Sequence, residues 1–130
     1  MVISIKSFLI LFVCCLITTG SQANEVDGTA LLCKSSSSVA SHPIFGLTFE
    51  NGKVFRFEVN GFSISRKLGY PYTLVGTERV NWRNNFGNQD CVNRKTLKTC
   101  WEIQCSISTN EEITQKLNEI ITTAKKKNKF

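Results

Sequence analysis

The sequence predicts an α+β domain: a curled antiparallel β-meander of about six or seven short strands, open or closed into a small barrel, with one C-terminal helix. Three observations carry this reading. Between Thr29 and Ile107, short runs rich in Val, Ile, Phe, Tyr and Trp alternate with polar residues and are punctuated by Gly and Asn. Asn51-Gly52 stands between two such runs, the strongest short hairpin signal. After Thr109 the apolar spacing changes to the helical one, at Ile113, Leu117, Ile120, Ile121 and Ala124.

Thr29 to Lys34 is a short first strand with Leu31 and Cys33 on one face, followed by a polar loop at Ser35 to Ser38. Ile44 to Glu50 and Lys53 to Asn60 form the hairpin. A two-residue Asn-Gly turn would put Phe45, Leu47 and Phe49 on one face and Phe55, Phe57 and Val59 on the other. A three-residue loop, Glu50-Asn51-Gly52, pairs Leu47 with Phe55 and unites the apolar residues, so it is the expected register. Gly61 to Gly69 is a connector that can hold a short strand at Phe62 to Ser65. Strands follow at Tyr72 to Val75 and Glu78 to Arg83, then a polar loop from Asn84 to Asp90.

From Cys91 onward a second hairpin is expected, turning at Lys95-Thr96 so that Cys91 faces Cys100 at a non-hydrogen-bonded pair. Continuing alternation would place Trp101, Ile103, Cys105 and Ile107 on the core face. Thr109 with Glu112 has the capping-box spacing, Glu111 and Glu112 suit the helix start, and Lys125 to Lys127 suit its end.

The first 23 residues read as a signal peptide. Lys6 precedes ten uninterrupted apolar residues, Phe8 to Ile17, and Ser21-Gln22-Ala23 is a small-x-small cleavage site. An uncleaved N-terminal anchor is the competing reading. The expected organisation is a leader at 1–23, a single domain at 24–124 and a basic tail at 125–130, in an exported protein, periplasmic or secreted. Removing Lys6 with the leader takes the formal charge from +6 to +5. Lys125, Lys126, Lys127 and Lys129 supply most of it, so the body is near neutral and no nucleic-acid partner is expected. No transmembrane helix is expected after the leader. The lysine-rich end reads as a solvated helix end, against the alternative of an anionic membrane surface.

Cys14 and Cys15 leave with the leader, so Cys33, Cys91, Cys100 and Cys105 remain. An even set in a small exported domain predicts two disulfides rather than a zinc site, for which Cys33 and Cys91 are too isolated. Of the three pairings, Cys91–Cys100 and Cys33–Cys105 are expected, with chain-entropy contributions of roughly 2.5 and roughly 4 kcal/mol respectively.

The order of elements resembles that of small exported β-meander proteins of marine alphaproteobacteria. It rests on the first-strand Cys33, Gly52-Lys53-Val54, Tyr72, Val80-Asn81-Trp82 and Val92-Asn93-Arg94-Lys95-Thr96-Leu97. That group has no known activity, so the resemblance implies the meander and export but no functional residue. Cys91 and Cys100 are an addition to its pattern.

No nucleophile elbow, zinc-protease motif, phosphate loop or dinucleotide fingerprint occurs, so no catalytic, cofactor or metal residue is assigned and no cofactor is expected. His42, with an acid supplied by the fold, is the one candidate for catalysis, and it reads as a loop residue. Asn93, Arg94, Lys95 and Lys98 form a basic hairpin tip suited to an interaction. The expected function is therefore a non-enzymatic binding or interaction protein of the cell envelope, taking either a small apolar ligand inside the curled sheet or an envelope or extracellular protein at its edge. The alternative is a secreted hydrolase inhibitor, similar to β-barrel lysozyme inhibitors in size and compartment only, inserting the basic tip. A small hydrolase is the third reading.

Overall fold

The computed structural model describes residues 25–36, 44–84 and 86–127. Among them the chain forms β1 (Ala30–Lys34), β2 (Ile44–Glu50), β3 (Lys53–Asn60), β4 (Ser63–Arg66), β5 (Tyr70–Val75), β6 (Arg79–Arg83), β7 (Gln89–Asn93), β8 (Gln104–Ser108) and the helix α1 (Asn110–Lys127). The leader, His42, Cys14 and Cys15 lie outside the described residues, as do Ser37 and Ser38.

All strand pairings are antiparallel, in the order β7-β6-β5-β3-β2-β1-β8, with β4 also on β3. The sheet is a meander until its last step, where β8 returns to the first strand and pairs Cys33 with Cys105. That return curls the sheet into a half-barrel. Its inner face holds the main core: Leu31, Phe45, Leu47, Phe49, Val54, Tyr72, Val80, Trp82 and Val92. The architecture is thus the expected α+β meander, with eight strands among the described residues.

The β2–β3 hairpin turns differently from expectation. Glu50 pairs with Lys53, so Asn51 and Gly52 alone make the turn, both at positive φ (51° and 73°). Leu47 faces Arg56 rather than Phe55. The reason is that both faces of this hairpin are covered. Phe45, Leu47, Phe49 and Val54 enter the half-barrel, while Ile44, Phe57 and Val59 pack beneath α1 with Ala30, Leu32 and Ile64. Two apolar faces serve two layers, so no gain is left for uniting them, and the Asn-Gly turn keeps its preferred geometry.

The helix lies on the outer face of β1 to β4 through buried Ile113, Leu117 and Ile121. Thr109 Oγ1 accepts the Glu112 N–H at 3.1 Å, while the Glu112 carboxylate takes the Ser108 hydroxyl at 2.9 Å instead of completing the box. The helix runs through Lys127, so Lys125 to Lys127 belong to its last turn, not to a separate tail. Its approach depends on Gly46: a Cβ there would lie 2.5 Å from Ile113 Cγ2. Because that methyl sits on a β-branched, buried side chain, Gly46→Ala should destabilise by about 1–3 kcal/mol through overpacking, as a urea melt would read.

The second hairpin keeps the expected register but not the expected turn. Val92 bridges Thr99, and Asn93 donates its N–H to the Lys98 carbonyl at 2.9 Å. The loop is wider, from Arg94 to Leu97, because Asn93 Oδ1 accepts the Lys95 and Thr96 N–H groups at 2.8 and 3.0 Å. The Cys100 N–H donates to the Cys91 carbonyl, so these two cysteines form a hydrogen-bonded pair, 5.2 Å apart at Cα, rather than a non-hydrogen-bonded one.

Beyond Cys100 the strand does not continue. The Thr99 carbonyl accepts the Glu102 N–H, the Ile103 carbonyl accepts the Thr99 N–H, and Glu102 sits at φ 61°, so the chain reverses within five residues. Alternation cannot be carried across that reversal. Trp101 is consequently 65% exposed rather than in the core. Ile107 is 74% exposed although it shares a face with Cys105, because β8 is an end strand: β1 flanks it on one side, and no described strand flanks Ile107 on the other. Leu97 and Lys98 instead lie between the sheet's two end strands: Lys98 bridges Gln104, and the Cys105 N–H donates to the Leu97 carbonyl at 2.8 Å.

Candidate binding cavity in the half-barrel

Strand β3 forks. Lys53 and Val54 at its start pair with β5, whereas Phe57 to Asn60 at its end pair with β4. The inner face opens at the fork, at Arg56, and there a cavity of about 240 Å³ forms. Leu47, Val54 and Trp82 make its apolar floor, and Tyr70, Asn84 and Phe86 its rim.

Four charged groups line it: Arg56, Glu58, Lys67 and Asp90. Arg56 and Glu58 follow Val54 at strand spacing and so face inward with it. The Glu58 side chain is only 9% exposed and receives Arg56 Nε at 3.0 Å and Lys67 Nζ at 3.2 Å. Arg56 also lies over the Phe45 ring, 3.9 Å from its centroid. Burial pushes the Glu58 carboxyl up, but the Lys67 hydrogen bond and the charges of Arg56 and Lys67 outweigh it, holding the group below its ordinary range.

Asp90 goes the other way. Burial raises it above its ordinary 3.8, against the Cys91 N–H that its Oδ1 accepts at 2.8 Å and the charge of Arg56. A carboxyl raised on folding costs stability above its folded-state pKa. The cost fades as pH falls through that value, and below 3.8 both folded and unfolded states are neutral. Asp90→Asn keeps an oxygen for Cys91 and removes the charge. It should therefore melt higher than the parent at pH 7, with the difference shrinking on acidification and gone below 3.8, as paired thermal melts across pH would show.

Local hydrogen bonds tie Asn84 to the residues after it at the rim. Asn84 Oδ1 accepts the Phe86 and Asn88 N–H groups at 3.0 and 3.1 Å, and the Asn84 carbonyl accepts Gly87 N–H. Phe86 nevertheless stands 82% exposed at the mouth.

No family model, curated protein or solved structure matches this chain.

The residues singled out from sequence lie elsewhere. The structure joins Cys33 to Cys105 across the β1–β8 seam and Cys91 to Cys100 within the hairpin. Cys91 is buried and Cys100 exposed. The basic tip is less available than its sequence suggests. Arg94 pairs with Glu25 at 3.6 Å and donates to the Thr77 carbonyl at 3.2 Å, and Lys95 pairs with Glu78 at 2.7 Å. Asn93 is spent on its own loop, which leaves Lys98 as the tip cation with no ion pair among the described residues. These pairs are solvent-exposed, so they reduce the tip's net charge more than they fix its position. Among the described residues no three His, Cys, Asp or Glu side chains converge as metal ligands, and no described helix is long and apolar enough to cross a membrane.

The sequence reading missed Arg56, Glu58, Lys67 and Asp90. A signal for two of them existed. Once the Asn51-Gly52 turn is taken as two residues, Arg56 and Glu58 share a face with Val54 and with Phe45, Leu47 and Phe49, and charges on an apolar face mark a site.

Proposed function

We propose that this is a non-enzymatic exported protein of the cell envelope that binds a small ligand on the inner face of its half-barrel. The observation that carries the reading is the convergence of two carboxylates, two cations and the rim rings of Tyr70 and Phe86 on one cavity above an apolar floor. Sites of this build take ligands by shape, with a few placed polar groups fixing orientation. Export is supported by the two disulfides, which persist in oxidising compartments.

The lining changes the expected ligand. A fully apolar molecule would strip water from the second Asp90 oxygen and from the Asn84 amide without returning hydrogen bonds, and each unpaired polar group costs about 1–3 kcal/mol. The ligand is therefore polar on at least one side. A native mass spectrum of protein purified without denaturation or reduction tests the reading. A small-molecule mass that departs on denaturation is expected. A bare chain under every gentle extraction, with no ligand regained from the cell extract, would overturn it.

A further inference from the structure

We propose that the cavity binds one neutral sugar ring, either a free monosaccharide or the terminal residue of a glycan. The inference rests on the binding role above and assigns its ligand class. Charge comes first. Arg56 and Lys67 balance Glu58 and Asp90 in number, so the lining has no net charge to select an ionic ligand. Both cations are already committed to Glu58.

Hydrogen-bonding capacity comes second. Asp90 has one oxygen on Cys91 N–H, and its other oxygen has no partner among the described residues. Asn84 spends its carbonyl oxygen on its own loop, leaving its amide donors for the rim. Tyr70 adds a phenol that can donate or accept. A ligand that meets an acceptor, a donor and a two-way group must carry several groups that do both, which is what hydroxyls do.

Size and the rim ring come third. The cavity of about 240 Å³ is smaller than the roughly 300–1,000 Å³ that encloses a drug-sized molecule, and it suits a single small ring. Phe86 stands at its mouth with almost no packing role of its own. The C–H face of a pyranose is apolar and weakly positive, and it lies well on the negative face of an aromatic ring. Hydroxyls pointing down and a C–H face against Phe86 use every group the cavity offers.

Saturation-transfer NMR on the intact exported chain tests this with glucose, galactose, mannose and N-acetylglucosamine, with short oligosaccharides ending in the same residues, and with octanoate as the apolar probe. Transfer to the ring C–H protons of at least one neutral sugar is expected, weakened at least tenfold in affinity by Phe86→Ala. Binding of free sugars marks a monosaccharide site, and binding of the oligosaccharides alone marks a glycan end; both support the inference. Sugar binding unchanged in Phe86→Ala would overturn the placement of the sugar in this cavity, and octanoate binding without any sugar would overturn the sugar assignment while leaving the binding role standing. If no probe binds and the native mass spectrum also shows a bare chain, both fall. Because Phe86 is exposed, its alanine variant should melt with the parent, which a thermal melt verifies.

Discussion

Truncating Phe49 to alanine should lower the free energy of unfolding by about 3–5 kcal/mol, the usual cost of emptying a phenylalanine site in a packed core. Phe49 is 1% exposed and meets two other rings edge-on, Tyr72 at 5.4 Å and Trp82 at 6.0 Å between centroids. Tyr72 cannot collapse inward easily, because its hydroxyl is anchored from another direction. The Tyr72 hydroxyl donates to Asp27 at 2.5 Å, and Asp27 also accepts the Gly52 N–H at 3.0 Å. Those hydrogen bonds hold the Asp27 carboxyl below its ordinary range, and burial and Asp27 together raise Tyr72 well above its own. The Phe49 backbone is tied as well, accepting the Gly28 N–H at 2.7 Å and donating to the Thr29 carbonyl at 3.0 Å. A cavity at this point opens beside Asp27 to Thr29, whose hydrogen bonds to Phe49, Gly52 and Tyr72 hold that segment on the sheet. Urea melts measure it, with Phe86→Ala as a reference expected within about 0.5 kcal/mol of the parent. A loss under about 1.5 kcal/mol for Phe49→Ala would mean that the core is not centred on this ring.

Removing the Cys33–Cys105 bridge as the double alanine variant should cost roughly 4 kcal/mol, and removing Cys91–Cys100 in the same way roughly 2.5. The bridged residues are 72 and 9 positions apart, so the first restrains far more of the unfolded chain. The native state loses little pairing in either case, since the β1–β8 ladder runs through five residue pairs and the hairpin has its own backbone hydrogen bonds. Equilibrium unfolding of the two double variants gives the ranking directly. A larger loss from the hairpin pair would show that local loop geometry, not chain restriction, sets the bridge energies. With domain stabilities commonly near 5–15 kcal/mol, either variant is expected to remain folded in the cold and to melt markedly earlier.

Much of the scaffold was readable because strands and helix each carry a local period. The bounds of β2 and β3 follow from the alternation around Asn51-Gly52, and α1 from Thr109 and its apolar stripe. Two kinds of feature were not readable. One is a face whose covering comes from far along the chain: Phe57 and Val59 could be placed outside only by knowing that Ile113 and Leu117 would lie over them. The other is a chain reversal without a glycine or proline to announce it. Glu102 and Leu97 adopt positive φ, at 61° and 58°, where few side chains are found, and the Thr99 hydroxyl secures the turn by accepting the Trp101 and Ile103 N–H groups. The cavity combines both problems. Arg56 and Glu58 come from one strand, Lys67 from the connector after β4, and Asp90 from β7, so only the curl of the sheet brings them together.

The segment at Leu97 to Thr99 has a consequence for how copies of this chain behave at high concentration. An open sheet offers two unpaired margins onto which a second molecule can add its own strand, and long, flat margins of this kind seed fibres. Here the last strands of both margins spend their main-chain groups on the same short segment, which passes from one to the other. What remains of the second margin is Ser106 to Ser108, too short to template a stable intermolecular ladder, and exposed Lys98 sets a charge beside it. At the β7 and β8 margins the described residues therefore resist strand-by-strand addition, and the outer edge of β4, four residues long, is too short to take over that role.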